Sequence, residues 1–377
     1  MPSKLHLPVI VLLAVLWAGA VTASVNYGAK HSWLLWLDHW SADWRTLFLS
    51  DKPETQHPRL ALVVVTEETL QDYPYRAPVD RELLARLVST LDAAGASTIG
   101  IDFLFLKATE PDKDEKLVRA IRAAKARIVI AAADKRVSLI EPQARYQTEF
   151  LTRTGAVAGY ANLHTGRDHV VRYVAAPDDP AFPKSFAVQL ARPDALRSNS
   201  PRRIAWLLRP SSGNDRFFTI PAHLLASGPD KPPNPAAAAV AALLTNRIVL
   251  IGADLAAIDR HQTPLANWQG DDEMPGVKIQ AQVAAQLLDG RSITPVGDAI
   301  FLTAIAVLTL TGLWLGFQYG TLGYTLYFGA TTLAVAAFDA ALFIAGKQFI
   351  PFGACMAALV AGLIGGLLLR QIPLRKS

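Results

Sequence analysis

The sequence predicts an α/β domain, built on a mainly parallel sheet with an antiparallel insertion, tethered by four α-helical membrane spans, one N-terminal and three C-terminal. Three observations carry that reading. Four separate apolar runs have about the length of a span. Between them, buried-strand patterns alternate with amphipathic-helix patterns. The alternation then breaks where two short strand patterns flank Thr165-Gly166-Arg167-Asp168.

The spans come first in the argument because half of the 377 residues (51%) are apolar and the mean hydropathy is +0.24. Leu7 to Val25 is an unbroken apolar run. From Asp298 to Leu369 the only ionised side chains are Asp298, Asp339 and Lys347, and polar breaks divide that region into Ala299–Phe317, Tyr324–Ala345 and Ile350–Leu369. Each piece has about the 20 residues a helix needs to cross ~30 Å of hydrocarbon. Ala18-Gly19-Ala20 would serve as a signal-peptide cleavage site, but the long apolar run with only Lys4 before it favours a retained anchor. The resulting division is a span over 1–25, an outer domain over 26–297, three spans over 298–370 and a basic tail over 371–377. Lys4 before the first span and Arg370, Arg375 and Lys376 after the last place both termini in the cytoplasm, so the outer domain is expected outside it; Lys347 weakly opposes this.

The formal charge of +5 is not a nucleic-acid signal. Lys4 and the segment from Asp298 onward hold +3 of it, which leaves the outer domain nearly neutral. The single cysteine, Cys355, falls in the last span, so no disulfide is expected. A domain of this length can bury a sufficient core without one.

The elements follow in order. Trp33, Trp36, Leu37, Trp40 and Trp44 fall at helical spacing just after the first span, as expected of a membrane-proximal helix with interfacial tryptophans; an aromatic cage for a cation is the alternative. RLALVVVT (59–66) reads as a strand buried on both faces. VDRELLARLVSTLDAAG (79–95) reads as an amphipathic helix closed by Gly95. STIGIDFLF (97–105) is a strand, DKDEKLVRAIRAAK (112–125) a helix with acids first and bases last, and ARIVIAAA (126–133) a third strand. This βαβαβ order requires a parallel sheet. GAVAGYANLHTGRDHVVRYVAA (155–176) reads as a two-stranded hairpin, SFAVQLAR as a helix, and RRIAWLLRP and DRFFTIP as strands. A Pro-rich loop (226–235), a short helix (236–244), a buried strand (247–252) turning at Gly252, and a helix from Val277 to Leu288 close the domain.

Chemistry-bearing residues gather where the strands end. In open parallel sheets ligands bind beyond the carboxyl ends of the strands, and these ends carry Glu67, Glu68, Asp102 and Asp254. Such an edge suits a cation, an amine or a sugar; alternatively, Glu67 and Glu68 open a turn and Asp102 caps neighbouring amides. Asp259 and His261 follow Asp254 in the Asp-X-His spacing of a metal or acid/base site, yet no further histidine lies near enough in sequence to complete a zinc set. Asp271-Asp272-Glu273 reads as a solvated loop. Arg76, just before a helix N-terminus, is an anion-binding candidate or the salt-bridge partner of one of the acids. No Gly-X-Ser-X-Gly elbow or glycine-rich phosphate loop is present, so no catalytic residue, metal or cofactor is assigned and an enzyme is not expected. Asp339, within a span, needs a partner or a polar surrounding.

Several stretches together resemble bacterial sensor proteins with a CHASE-type extracytoplasmic domain of the second class. They are DWR (43–45), VVVTEETLQDYPYRAPVDRELLARLVSTLDAAGASTIGIDFLF (63–105), DEKLVRAI (114–121), GYANLHTGRDHVVRY (159–173), SFAVQLA (185–191), RIVLIGADLAAIDRHQTPL (247–265) and MPGVKIQAQVAAQLLDGR. The resemblance covers about residues 38 to 295 and implies ligand sensing at the membrane. The family usually has an acid where Thr66 stands, and usually a cytoplasmic kinase or cyclase domain after the spans; the sequence is expected to lack such an output domain.

The expectation is therefore a sensor subunit that binds an unidentified small molecule or envelope protein and signals through its own copies or a separate membrane partner, with the bilayer as its surroundings and no nucleic acid involved. The alternative is a scaffold that anchors an envelope assembly. An open cleft at the strand ends would favour the first, a cleft filled by its own side chains the second.

Overall fold

The structure is a computed structural model that describes residues 7–31, 34–50, 52–191, 202–229, 231–232, 234–266 and 273–372; of residues 7, 30, 31, 34 and 35 only the backbone is described. Lys4, Trp33, Arg192, Asp230, Pro233, Asp271, Asp272, Arg375 and Lys376, all used in the reading above, lie outside the described residues. The chain divides into two compact units, one formed by residues 1–50 and 293–377, the other by 51–292.

The first unit opens with α1 (Leu7–His31) and α2 (Leu34–Leu49). The second begins with β1 (Leu60–Val65), α3 (Glu67–Leu70), α4 (Arg81–Ala93), β2 (Thr98–Ile101), α5 (Pro111–Ala123), β3 (Arg127–Ala132), α6 (Glu141–Thr154) and β4 (Val157–Tyr160). It continues with β5 (Leu163–Thr165), β6 (Val171–Val174), α7 (Phe186–Ala191), β7 (Arg202–Arg203), β8 (Phe218–Pro221), α8 (Ala237–Ala242), β9 (Ile248–Ala253), β10 (Arg260–His261), β11 (Met274–Pro275) and α9 (Gly276–Leu288).

The main sheet has six strands in the order β4-β3-β2-β9-β1-β8, every pair parallel. Side chains alternate between its faces, as a period of two dictates. Ala61, Val63, Val65, Ile99, Ile101, Val249 and Ile251 enter one apolar core with Leu83, Leu84, Leu87, Leu91, Leu117, Ile121 and Phe150 from α4, α5 and α6. On the other face, glycines let helices approach closely. A side-chain carbon at Gly100 would lie 2.7 Å from Leu190 of α7, and one at Gly252 would lie 2.5 Å from Cβ of Val277 in α9. Gly252 is thus a packing position inside β9, not the turn expected from its place at the end of an apolar run.

Two more expectations are revised. Val157–Tyr160 does not form a hairpin with the following strand; it extends the parallel sheet beside β3, and the antiparallel insertion is β5-β6-β7. The RRIAWLLRP segment is a strand only at Arg202–Arg203. Beyond that, side-chain amides of α9 stand in for a partner strand: Gln286 accepts from Ala205 N at 2.9 Å, and Gln282 accepts from Leu207 N at 2.8 Å while donating to Leu207 O at 3.1 Å. Helix α6 was not foreseen, because few of its residues are apolar and the stripe they form is short.

The first unit is completed by β12 (Thr294–Pro295), α10 (Asp298–Gln318), α11 (Thr321–Gly346), β13 (Gln348–Phe349) and α12 (Phe352–Arg370). Helices α1, α10, α11 and α12 are each long and apolar enough to cross a membrane. Gly312 and Gly316 of α10 meet Gly362 and Gly366 of α12; a side-chain carbon at Gly312 would sit 2.7 Å from Leu363 N and one at Gly316 2.8 Å from Leu367 N. Small residues at a four-residue spacing allow such backbone approach. The tryptophan-bearing α2, read from sequence as part of the outer domain, packs in this unit instead. Asp38 accepts from Gly353 N at 2.6 Å, Arg45 is ion-paired with Asp339, and Asp339 also accepts from Ile350 N at 2.9 Å. Trp36 and Trp40 remain exposed.

Candidate functional site

The carboxyl ends of β2, β3, β4 and β9 border an open cavity of about 470 Å³. Asp102 and Phe103 line it from the end of β2, Ala132 and Ala133 from β3, Ala161 and Asn162 from β4, Ala253 from β9, and Asp259, His261, Gly276 and Gln280 from the β10 turn and α9. Arg76, Val79 and Arg81 line it from the entrance to α4.

Four of the residues singled out in the sequence line it: Arg76, Asp102, Asp259 and His261. Asp102 donates its backbone N–H to Ile251 O at 2.8 Å, but its carboxyl group makes no hydrogen bond among the described residues, so it does not cap neighbouring amides. Burial, with the charge of Asp259 adding to it, pushes the Asp102 carboxyl from 3.8 up to about 8. Asp259 adopts a left-handed backbone (φ 54°), a conformation Asp tolerates better than most residues. Its carboxylate accepts from His261 Nε2 at 2.8 Å and packs against Gly276, where any side chain would collide with it. Such a strained position at a cavity wall points toward function. Arg76 is ion-paired with Glu67, the plainer of its two expected roles.

The other three do not line the cavity. Glu67 and Glu68 open α3, capped by Thr66, whose hydroxyl accepts from Thr69 N. Glu68 lies 3.7 Å from His223 Nε2. Asp254 accepts from Arg260 at 2.7 Å, and Lys278 Nζ approaches it to 3.4 Å. Arg260 also donates to Leu255 O at 2.8 Å and Glu273 O at 3.2 Å. These bonds hold the turn between β9 and β10 and tie it to Glu273 and Lys278.

One lining residue was missed. Arg81, the first residue of α4, is only 1% exposed. Its guanidinium lies over the Phe105 ring, 4.4 Å from the centroid, and its nearest carboxylate oxygen, on Asp114, is 3.5 Å from Nε. Asp114 is already engaged by Thr109 N at 2.9 Å, Thr109 Oγ1 at 2.8 Å and Tyr146 at 3.2 Å. The Arg81 Nε is therefore buried and unsatisfied among the described residues, with the shared Asp114 carboxylate as its nearest anion. The sequence did carry a signal: a base on the apolar stripe of Leu84 and Val88, at a helix N-terminus where the dipole disfavours cations. Among the described residues, no cluster of three His, Cys, Asp or Glu side chains could hold a metal ion.

The CHASE2 domain family matches residues 10–316, from within the first apolar helix through the α/β unit to α10. No curated protein and no solved structure matches the chain.

Proposed function

The chain belongs to the CHASE2 domain family, a family of extracellular sensory domains, and from this we propose that it is an integral membrane sensor subunit whose α/β unit reads a small ligand at the strand-end cavity. The single observation that carries the reading is the cavity itself: the edge is open, and its lining includes the Arg81 Nε, which is unsatisfied, and the Asp102 carboxyl, which makes no hydrogen bond among the described residues. A cleft filled by its own side chains would leave no carboxyl such as that of Asp102 without a hydrogen bond, which costs stability. The α/β unit faces the periplasm and both termini the cytoplasm, on the strength of Lys4, Arg370, Arg375 and Lys376. Helix α9 transmits the signal, because Gln280 lines the cavity and the same chain runs on from Leu288 into α10. The output is taken up by a second copy or a separate membrane partner, as the ligand shifts the population between two arrangements.

Hydrogen exchange on the full chain in lipid nanodiscs tests this. The low-molecular-weight fraction of a boiled extract of the source cells should slow exchange over residues 102–106 and 258–262, and Ile258→Trp, at the exposed rim of the cavity, should abolish the effect. Unchanged exchange in both proteins would overturn the proposal.

A further inference from the structure

We infer that the strand-end cavity takes a small organic ampholyte of the amino-acid kind, its carboxylate toward Arg81 and its ammonium toward Asp102 and Asp259. This rests on the sensor reading above and adds the chemical class of the ligand.

The anion end follows from Arg81. A guanidinium offers five N–H donors in a fixed fork suited to a carboxylate. Here the side chain is buried, lines the cavity, and has an Nε that is unsatisfied among the described residues. Asp114 neutralises part of its charge, but other donors already occupy that carboxylate. A ligand carboxylate would supply what the protein withholds.

The cation end follows from the acids. Asp102 and Asp259 share the cavity wall, and the Asp102 carboxyl accepts no hydrogen bond from the described residues. The other titratable groups lining the cavity are His261, which is bonded to Asp259, and Arg76, which is held by Glu67. An ammonium group brought to Asp102 would favour its ionised form, and the Asp102 proton would leave to bulk water.

The same wall also holds the apolar Val79, Phe103, Leu104, Leu255 and Ile258. An ampholyte carries no net charge into such a site, which limits the desolvation cost of each end to what its partner offsets. The volume, about 470 Å³, lies within the roughly 300–1,000 Å³ of small-molecule sites.

The test uses the full chain in nanodiscs and calorimetric titration with each of the common amino acids, the apolar ones included. At least one should bind. Its N-acetyl derivative, which lacks the ammonium, and its amide, which lacks the carboxylate, should each bind about tenfold more weakly or worse. Asp102→Asn should weaken the free amino acid while leaving the N-acetyl form little changed, and Arg81→Met should do the same for the amide. Failure of every amino acid to bind would overturn the inference, as would N-acetyl and amide forms that bind as tightly as the parent. If the extract still protects the strand ends in hydrogen exchange, those results remove only the ampholyte. If it does not, the sensor reading falls as well.

Discussion

Asp102, at the end of β2, and Asp259, in the left-handed turn before β10, present their carboxyl groups to one cavity, and the charge of the second reinforces burial in holding the proton on the first. The consequence is a pH-dependent cost. In the folded protein the Asp102 carboxyl titrates near 8, against an ordinary value of 3.8. Between those values the folded state binds more protons than the unfolded one, so stability is fully present below 3.8 and declines as the pH rises through 8. Asp102→Asn should raise the melting temperature above that of the parent, with a gap that widens toward alkaline pH. Differential scanning fluorimetry across that range would show it; parallel profiles would refute it.

Arg81 and Asp114 should respond unequally to removal. Asp114→Ala strips Thr109 and Tyr146 of their acceptor and leaves Arg81 buried beside no anion. That should cost about 3 kcal/mol or more. Arg81→Met leaves Asp114 with its three donors and should be close to neutral, or stabilising. Denaturant titration of the two variants measures both, and an equally large loss for Arg81→Met would make that residue structural.

Asp339 shows how far the sequence could be read. An acid inside an apolar span requires a partner, so a partner was expected, but which one was not legible. Arg45 lies far away in the chain and belongs to a helix that the sequence assigned to the outer domain. Asp339→Leu should destabilise the helical unit by about 3 kcal/mol, because it leaves Arg45 uncompensated, and Arg45→Met in the same chain should recover most of that loss. Unfolding of the single and double variants in mixed micelles gives the coupling. Additive losses would contradict the pair.

The same division holds for the α/β unit. Its strands and most of its helices were legible because continuous runs such as Leu60–Val65 and amphipathic stripes such as that of α4 obey simple periods. Strand partners were not, since pairing is decided by distant residues: Val157–Tyr160 belongs with β3, and β9 enters between β1 and β2. At the site, the Asp-X-His spacing found Asp259 and His261, and the sheet-edge argument found Asp102. It also gathered Glu68 and Asp254, which neighbours His223, Arg260 and Lys278 draw elsewhere. Arg81 escaped notice because a base in a helix is ordinary until its burial is seen.

The crossing of α10 and α12 should tolerate no added bulk. Gly312→Leu or Gly362→Leu places a side chain against backbone atoms of the opposite helix, and relief requires the helices to separate. A loss of about 1–3 kcal/mol is expected, whereas Gly329→Leu, on α11 with open space around it, should be near neutral. Resistance to unfolding in sodium dodecyl sulfate distinguishes the two positions; equal sensitivity would argue against close packing.

The most direct measurement is native mass spectrometry of the full chain released from the membranes of its own cells. The account predicts a small molecule that leaves the parent protein at modest collision energy and is absent from a Leu104→Trp, Ile258→Trp variant, whose substitutions lie at the exposed rim of the strand-end cavity. A bound molecule retained equally by both would place recognition elsewhere and contradict the assignment of the cavity.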